Sequence, residues 1–177
     1  MVKIKLSLKR VFKVVCCLTL IAIHLEGIAQ EYGQNGMVVS SNAVASKVGS
    51  AVLKKGGNAI DASIATALAL AVTHPSAGNI GGGGFLVFRN ATGEVTTIDF
   101  REKAPLAASP NMFLDSQGKL IKDSNHEGLK SVGVPGTIAG LYMAHQKYGK
   151  LPWRELVQPS VDLAKKGFTK AWDHEIF

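Results

Sequence analysis

Two segments of the sequence contain residue types that could bind a charged ligand. The first is a run of four glycines, Gly81, Gly82, Gly83 and Gly84. Glycine-rich loops can surround a phosphate with backbone N–H groups. The second is Asp99-Phe100-Arg101-Glu102, in which an arginine stands at the end of a predicted strand. A guanidinium binds a carboxylate through two parallel hydrogen bonds, so Arg101 is a candidate carboxylate ligand.

The spacing of the glycine run argues against phosphate binding. The sequence around residues 81–84 matches neither G-x-G-x-x-G nor G-x-x-x-x-G-K-[ST]. Phosphate loops lead from a strand into a helix, whose N-terminus holds the anion, whereas the predicted order here is helix, glycines, strand. We therefore interpret the glycines as a structural loop, where a strand begins very close to another backbone segment or a ligand.

Arg101 has two interpretations from its spacing alone. It can bind a carboxylate ligand, or it can form an ion pair with Asp99 or Glu102. Structural ion pairs also occur at strand ends, and without further information the ion pair is the favoured interpretation.

The sequence contains no recognisable motif for a metal site or a common nucleophile. No G-x-S-x-G elbow is present. Both cysteines, Cys16 and Cys17, lie in the N-terminal segment, so the rest of the chain has no thiol. The later histidines lack metal-ligand spacing and are expected to be surface or packing residues. They are His74, His126, His145 and His174.

The basic residues are concentrated at the N-terminus. The chain has 20 Lys and Arg against 13 Asp and Glu, and five of these bases but one acid precede residue 30. The basic start, the apolar residues 14–23 and the small residues Gly27 and Ala29 predict a signal peptide at residues 1–29. The apolar run is shorter than the roughly 20 residues that a membrane span needs. We therefore expect an exported protein, periplasmic or extracellular, with no stable membrane span and no basic face for nucleic acid.

Residues 30–177 combine helices with one predicted hairpin. Asn58 is the predicted cap of a helix at residues 59–73, with Asp61 in its first turn. This helix is apolar on all sides, which predicts that it is buried. A helical pair before an antiparallel hairpin indicates an α+β domain. The other predicted helices are 41–55, 109–114, 137–148 and one from Pro152 to near Gly167, interrupted or kinked at Pro159; the predicted strands are 85–89, 94–101 and 131–134.

Five segments stand in the order found in one known family. They read LKKGGNAIDASIATALALAV, GNIGGGGF, IDFREKAP, MFLD and GVPGTIAG. Together they resemble the N-terminal part of γ-glutamyltransferases, also called glutathione hydrolases. The resemblance covers residues 37–177, and its specificity comes from several long motifs in one order.

The resemblance implies an N-terminal-nucleophile hydrolase fold, a four-layer αββα sandwich that is incomplete in this chain. Precursors of this family cut themselves into a large and a small subunit. The new N-terminal threonine of the small subunit attacks the γ-glutamyl amide of glutathione, with its own α-amino group as the base. The γ-glutamyl-threonine intermediate then passes its acyl group to water or to an acceptor amino acid or peptide. No metal or organic cofactor is implied.

The sequence departs from the family because it stops inside the large subunit. The nucleophilic threonine is expected outside it, so the resemblance implies no catalytic residue here and no activity for the chain alone. Arg101 matches the arginine that holds the α-carboxylate of the γ-glutamyl group, which reverses the interpretation from spacing, and Glu102 is expected to orient it. The implied partners are glutathione and other γ-glutamyl compounds, acceptor amino acids or peptides, and the small subunit of the same precursor.

Two other hypotheses stay open at this point. A relative with the same fold could be an acylase for β-lactam side chains or a depolymerase for poly-γ-glutamate. From a different class, a secreted binding module could use the glycine run and Arg101 to hold an anion without chemistry.

Overall fold

The computed structural model describes residues 9, 12, 13, 15, 16 and 32–169. The chain divides into two units, Met1–Asn35 and Gly36–Phe177. In the first unit, the described residues 9, 12, 13, 15 and 16 are helical. The expected cleavage position after Ala29 lies outside the described residues, so the signal peptide stays a prediction. None of the described helices has the length and apolar character needed to cross a membrane.

The second unit contains four α-helices and a two-stranded antiparallel sheet among its described residues, which confirms the α+β prediction. A 3-10 helix, Leu129–Ser131, precedes the third α-helix. In chain order the main elements are α1 (Ala43–Lys54), α2 (Ala59–Thr73), β1 (Phe85–Arg89), β2 (Val95–Asp99), α3 (Thr137–Tyr148) and α4 (Trp153–Lys166).

Helix α2 is held at its N-terminus by a reciprocal capping box. The Asn58 side chain accepts from the Asp61 N–H, and the Asp61 carboxylate accepts from the Asn58 N–H, both at 3.0 Å. The sequence predicted this cap and the bounds of the helix. The same carboxylate also accepts the backbone N–H groups of Lys150 and Leu151. One local cap therefore also fixes the connection between α3 and α4.

Helix α2 also forms the centre of the hydrophobic core, as its all-round apolar surface predicted. Helices α1, α3 and α4 and strand β2 each supply a buried side chain to the same cluster. The core side chains include Ile60, Ile64 and Leu68 from α2, with Val52, Ile98, Leu141 and Leu156 from the other elements.

The sheet has one covered face and one open face. Phe85 pairs with Asp99 and Arg89 with Val95, so the predicted hairpin is present. Alternate residues of a strand point to opposite faces, and the side chain of Ile98 is buried while Phe85 and Val87 are exposed. The open face therefore carries exposed apolar side chains along its length.

Two predicted elements are wrong. Residues 109–114 form turns rather than a helix, because the Phe113 carbonyl accepts the N–H of Ile121 from a later segment. Residues 131–134 contribute only a single bridge, from Val134 to Lys103, and no strand. Helix α4 continues without interruption through Pro159.

Candidate functional site

Arg101 is placed by a turn that ends strand β2. The Phe100 N–H still donates to the Gly84 carbonyl at 3.0 Å, which is the last backbone hydrogen bond between the two segments. The Asp99 carboxylate then accepts the backbone N–H of Arg101 at 3.0 Å. Such a side-chain turn replaces the next bond of the ladder. The strand therefore stops two residues earlier than predicted, and Arg101 lies at the rim of the sheet.

The guanidinium of Arg101 is weakly held by its neighbours. Its side chain is 64% exposed, and its Nε lies 3.8 Å from Oε2 of Glu102. That separation is too long for a hydrogen bond, and exposed ion pairs contribute little to stability. Asp99, the other expected ion-pair partner, bonds to the backbone of Arg101 instead. Among the described residues, no side chain or carbonyl takes a hydrogen bond from the guanidinium, so its donors are available to a ligand.

An aromatic ring provides the third contact of Arg101. Its Cζ lies over the ring of Phe85, 5.9 Å from the ring centroid. This separation is within the range in which a cation is attracted by a ring face. Phe85 is the first residue of β1 and is 65% exposed. The site thus contains a cation, an adjacent carboxylate on Glu102 and an exposed ring.

The glycine run passes directly beneath the backbone of Arg101. A Cβ atom on Gly83 would lie 2.6 Å from the Arg101 Cα and 2.7 Å from the Glu102 backbone nitrogen. A Cβ atom on Gly84 would lie 2.8 Å from the ring of Phe100. The close approach expected from the sequence is therefore found at Gly83 and Gly84. It is not found at Gly81, where a Cβ atom would have no neighbour within 4 Å.

The same loop is fastened to the N-terminus of α3. The Asn79 side-chain oxygen accepts the Gly82 N–H at 2.9 Å and the Thr137 hydroxyl at 2.6 Å. The Gly82 carbonyl accepts the N–H groups of Gly136 and Thr137 at 2.8 and 3.0 Å. The sequence assigned no role to Asn79 or Thr137, although Asn79 lies within the motif GNIGGGGF and Thr137 within the motif GVPGTIAG. Together these bonds fix the loop that supports Arg101.

The other chemical candidates of the sequence do not join this site. His145 shares a hydrogen bond of 2.7 Å with the Leu151 carbonyl and packs against Trp153, as expected for a packing residue. His174 lies outside the described residues. Within the described ranges, no group of three or more His, Cys, Asp or Glu side chains could hold a metal ion.

An open cavity of about 480 Å³ lies between α2 and β1, and Phe85 and Phe100 line it on the side of the Arg101 site. Its lining includes Ile60, Ala67 and Leu86, and its one charged residue is Arg89. Arg101 does not line it. Its mostly apolar lining does not suit a charged ligand.

Comparisons with known proteins agree on one family. The family described as Gamma-glutamyltranspeptidase matches residues 45–175. The glutathione hydrolase proenzyme of Pseudomonas sp. (strain A14) is 52% identical over 146 residues, which make up 82% of this chain and 25% of that protein. The chain therefore spans about a quarter of the length of this curated relative.

Solved structures give the same result. The crystal structure of Helicobacter pylori gamma-glutamyltranspeptidase aligns with a TM-score of 0.73 and 48% identity, over 78% of this chain and 40% of that one. A cephalosporin acylase from Bacillus halodurans aligns with a TM-score of 0.69, over 83% of this chain and 28% of that one, but at 28% identity.

Proposed function

The chain belongs to the gamma-glutamyltranspeptidase family, and on this premise we propose that it is the N-terminal part of a glutathione hydrolase proenzyme. The reaction is cleavage of the γ-glutamyl amide of glutathione or of another γ-glutamyl compound. The γ-glutamyl group passes through an ester with a threonine to water or to an acceptor amino acid or peptide. That threonine belongs to a small subunit cut from the same precursor, outside residues 1–177.

The observation that carries this proposal is the exposed guanidinium of Arg101 at the rim of the sheet. A γ-glutamyl donor carries an α-carboxylate that a short carbon chain joins to the amide that is cleaved. Arg101 offers donors that no described protein group accepts, and a planar fork matches a carboxylate with two bonds. Its backbone is fixed by Asp99 and by the glycine run. A carboxylate held there would keep the γ-amide within the short reach of that carbon chain from the sheet rim.

Glu102 has a secondary role in this proposal. Its carboxylate lies 3.8 Å from Nε of Arg101, on one edge of the guanidinium. A partner at Nε leaves the two terminal nitrogens for the substrate carboxylate. We therefore assign Glu102 to orienting Arg101 rather than to contact with the donor.

Processing and location are part of the same proposal. Residues 1–29 direct export and are removed, and residues 30–177 are the first part of the large subunit in the periplasm or outside the cell. The basic, apolar and small-residue order of residues 1–29 supports this.

The alternatives receive less support. The acylase that aligns with this chain shares 28% identity with it, against 48% for the Helicobacter pylori transpeptidase. A binding module without chemistry has no counterpart among these matches.

Three synthetic donors test the proposed function on the full-length proenzyme. γ-Glutamyl anilide carries the α-amine and the α-carboxylate, glutaryl anilide lacks the amine, and 4-aminobutanoyl anilide lacks the carboxylate. We expect turnover of the first, accelerated by an acceptor dipeptide, and a kcat/KM at least about tenfold lower for the third, since a charge-assisted hydrogen bond is lost. Residues 37–177 alone serve as the inactive control. Preference for glutaryl anilide would instead indicate an acylase, and no turnover of any donor would contradict the proposal.

A further inference from the structure

Phe85 is an exposed aromatic residue whose position the proposed reaction does not explain. It is the first residue of β1 and directly follows the glycine run. Within the described part of the chain the ring is 65% exposed. Its described polar neighbour is the guanidinium of Arg101, 5.9 Å from the ring centroid.

The end of the hairpin explains why these two side chains meet. Phe85 lies directly opposite Asp99, the last residue of β2. Arg101 follows two positions later, beyond the end of the strand, where its Cζ lies over the Phe85 ring. The turn formed by the Asp99 carboxylate then directs the chain off the ladder beside Phe85.

We infer that Phe85 is a positioning residue for Arg101, and this inference rests on the proposed function. A guanidinium is weakly hydrated and stacks readily on aromatic faces. The ring restricts a long, exposed side chain before the substrate arrives, which lowers the ordering cost of binding. The ring attracts the cation through its π face and is not a carboxylate or carbonyl that would compete for its N–H groups. Phe85 therefore sets the affinity for the donor without touching the reacting amide.

The size of the effect follows from the strength of exposed cation–π contacts. Loss of the ring is expected to raise the KM for γ-glutamyl anilide about two- to fivefold, with little change in kcat. A merely structural role for Phe85 would lower the melting temperature and the yield of cleaved precursor, and would leave KM unchanged in the protein that folds.

The test uses full-length proenzyme with three substitutions. Phe85→Leu removes the ring and keeps an apolar side chain, whereas Phe85→Trp supplies a stronger cation-binding face. Val87→Ala is the matched control, because Val87 lies two residues along β1 on the same open face and is 73% exposed. We expect a raised KM for Phe85→Leu, a wild-type KM for Val87→Ala, and a wild-type or lower KM for Phe85→Trp. If Phe85→Leu yields no soluble protein, a raised KM in Phe85→Trp overturns the inference.

A double-mutant cycle separates this inference from the proposed function. In an Arg101→Gln background, Phe85→Leu should have no further effect on KM, because the cation is absent. An equal effect in both backgrounds would overturn the inference, as would an unchanged KM in Phe85→Leu. Wild-type protein that is active and dependent on Arg101, yet indifferent to Phe85→Leu, overturns the inference alone. Wild-type protein that does not cleave γ-glutamyl anilide contradicts the proposed function as well.

Discussion

Gly83 lies so close to Arg101 that a methyl group on it would stand 2.6 Å from the Arg101 Cα. Real side-chain carbons do not approach backbone atoms this closely, so the absence of a side chain at Gly83 is a condition for the position of Arg101. The glycine run and the segment that contains Arg101 are separate in sequence, but they are in contact in the folded chain.

Gly83→Ala tests this relationship. Because the neighbouring atoms are backbone, which relaxes less readily than a side chain, we expect a loss of about 1–3 kcal/mol in the free energy of unfolding. We also expect a raised KM for a γ-glutamyl donor, since Arg101 must shift. Thermal unfolding and steady-state kinetics on one preparation measure both effects.

Gly81→Ala is the control for that substitution. A Cβ atom at Gly81 would meet nothing within 4 Å, and neither glycine has a positive φ. Stability and KM should therefore remain near wild type. If the two alanine variants behave alike, the close approach at Gly83 does not govern the site.

The buried carboxylate of Asp61 supports a second prediction, on stability. It accepts backbone N–H groups from Asn58, Lys150 and Leu151 and is fully buried. Asp61→Asn replaces one accepting oxygen by a donor that faces other donors, which should cost about 1–3 kcal/mol. The midpoint of urea unfolding measures this loss.

Asp162→Asn is the matched control for Asp61→Asn. Asp162 is a half-buried residue of α4 whose carboxylate accepts an exposed side-chain hydrogen bond from Gln158 at 2.9 Å, and its ion pair with Lys166 is 3.8 Å long. Its substitution should change stability by no more than about 0.5 kcal/mol. Equal midpoints for the two variants would show that the buried bonds of Asp61 contribute nothing measurable.

The isolated chain should associate through the open face of its sheet. The described elements bury helix α2. The exposed apolar side chains are instead Phe85, Val87 and Val95 of the sheet. Uncovered apolar patches promote association, so residues 37–177 should form oligomers at micromolar concentration, as measured by light scattering.

Substitutions on that face distinguish its role from general instability. Replacing Val87 and Val95 together with threonine should reduce the association, because both strands keep a β-branched residue and lose apolar surface. Thr97→Ser changes a polar residue on the same strand and should have no effect. A monomeric wild-type fragment would contradict the prediction.

Local signals in the sequence predicted the helices well. The cap at Asn58 and the bounds of α2 depend on residues within four positions of each other, so the sequence contained the whole cause. The bond from the Lys150 N–H to Asp61 spans 89 residues, and no local pattern announces it. The wrong prediction of a helix at residues 109–114 has the same cause. Its start signal is local, whereas the Phe113 carbonyl accepts the N–H of Ile121 from a later segment.

The site was predictable only in part for the same reason. Arg101 is a candidate from its position at a strand end, and the resemblance of its motif to a known family decides between the ligand and the ion-pair interpretations. The sequence predicts that the glycine run lies close to another backbone segment or a ligand, but it does not identify Arg101 as the neighbour of Gly83. The contact with Phe85 depends on the turn that Asp99 forms after the last ladder bond. The residue pattern predicts a strand up to residue 101 and does not predict that turn.

Arg101→Lys in the full-length proenzyme tests the central claim, that Arg101 holds the α-carboxylate of a γ-glutamyl donor. Lysine keeps the charge and loses the planar fork, so one charge-assisted hydrogen bond of about 1.5–3 kcal/mol is lost. That loss predicts a drop of about 10- to 150-fold in kcat/KM. The drop should come mainly from a raised KM if the arginine binds the ground state and the transition state equally.

The most direct measurement is the ratio of kcat/KM for γ-glutamyl anilide to kcat/KM for 4-aminobutanoyl anilide. It is measured in wild type and in Arg101→Lys, and a melting curve is recorded on each preparation. If Arg101 binds the carboxylate, the substitution should lower this ratio about 10- to 150-fold, because 4-aminobutanoyl anilide has no carboxylate that Arg101 could bind. The melting temperature should stay near wild type, since the ion pair with Glu102 is exposed. An unchanged ratio beside a lowered melting temperature would contradict the claim and assign Arg101 to a structural ion pair.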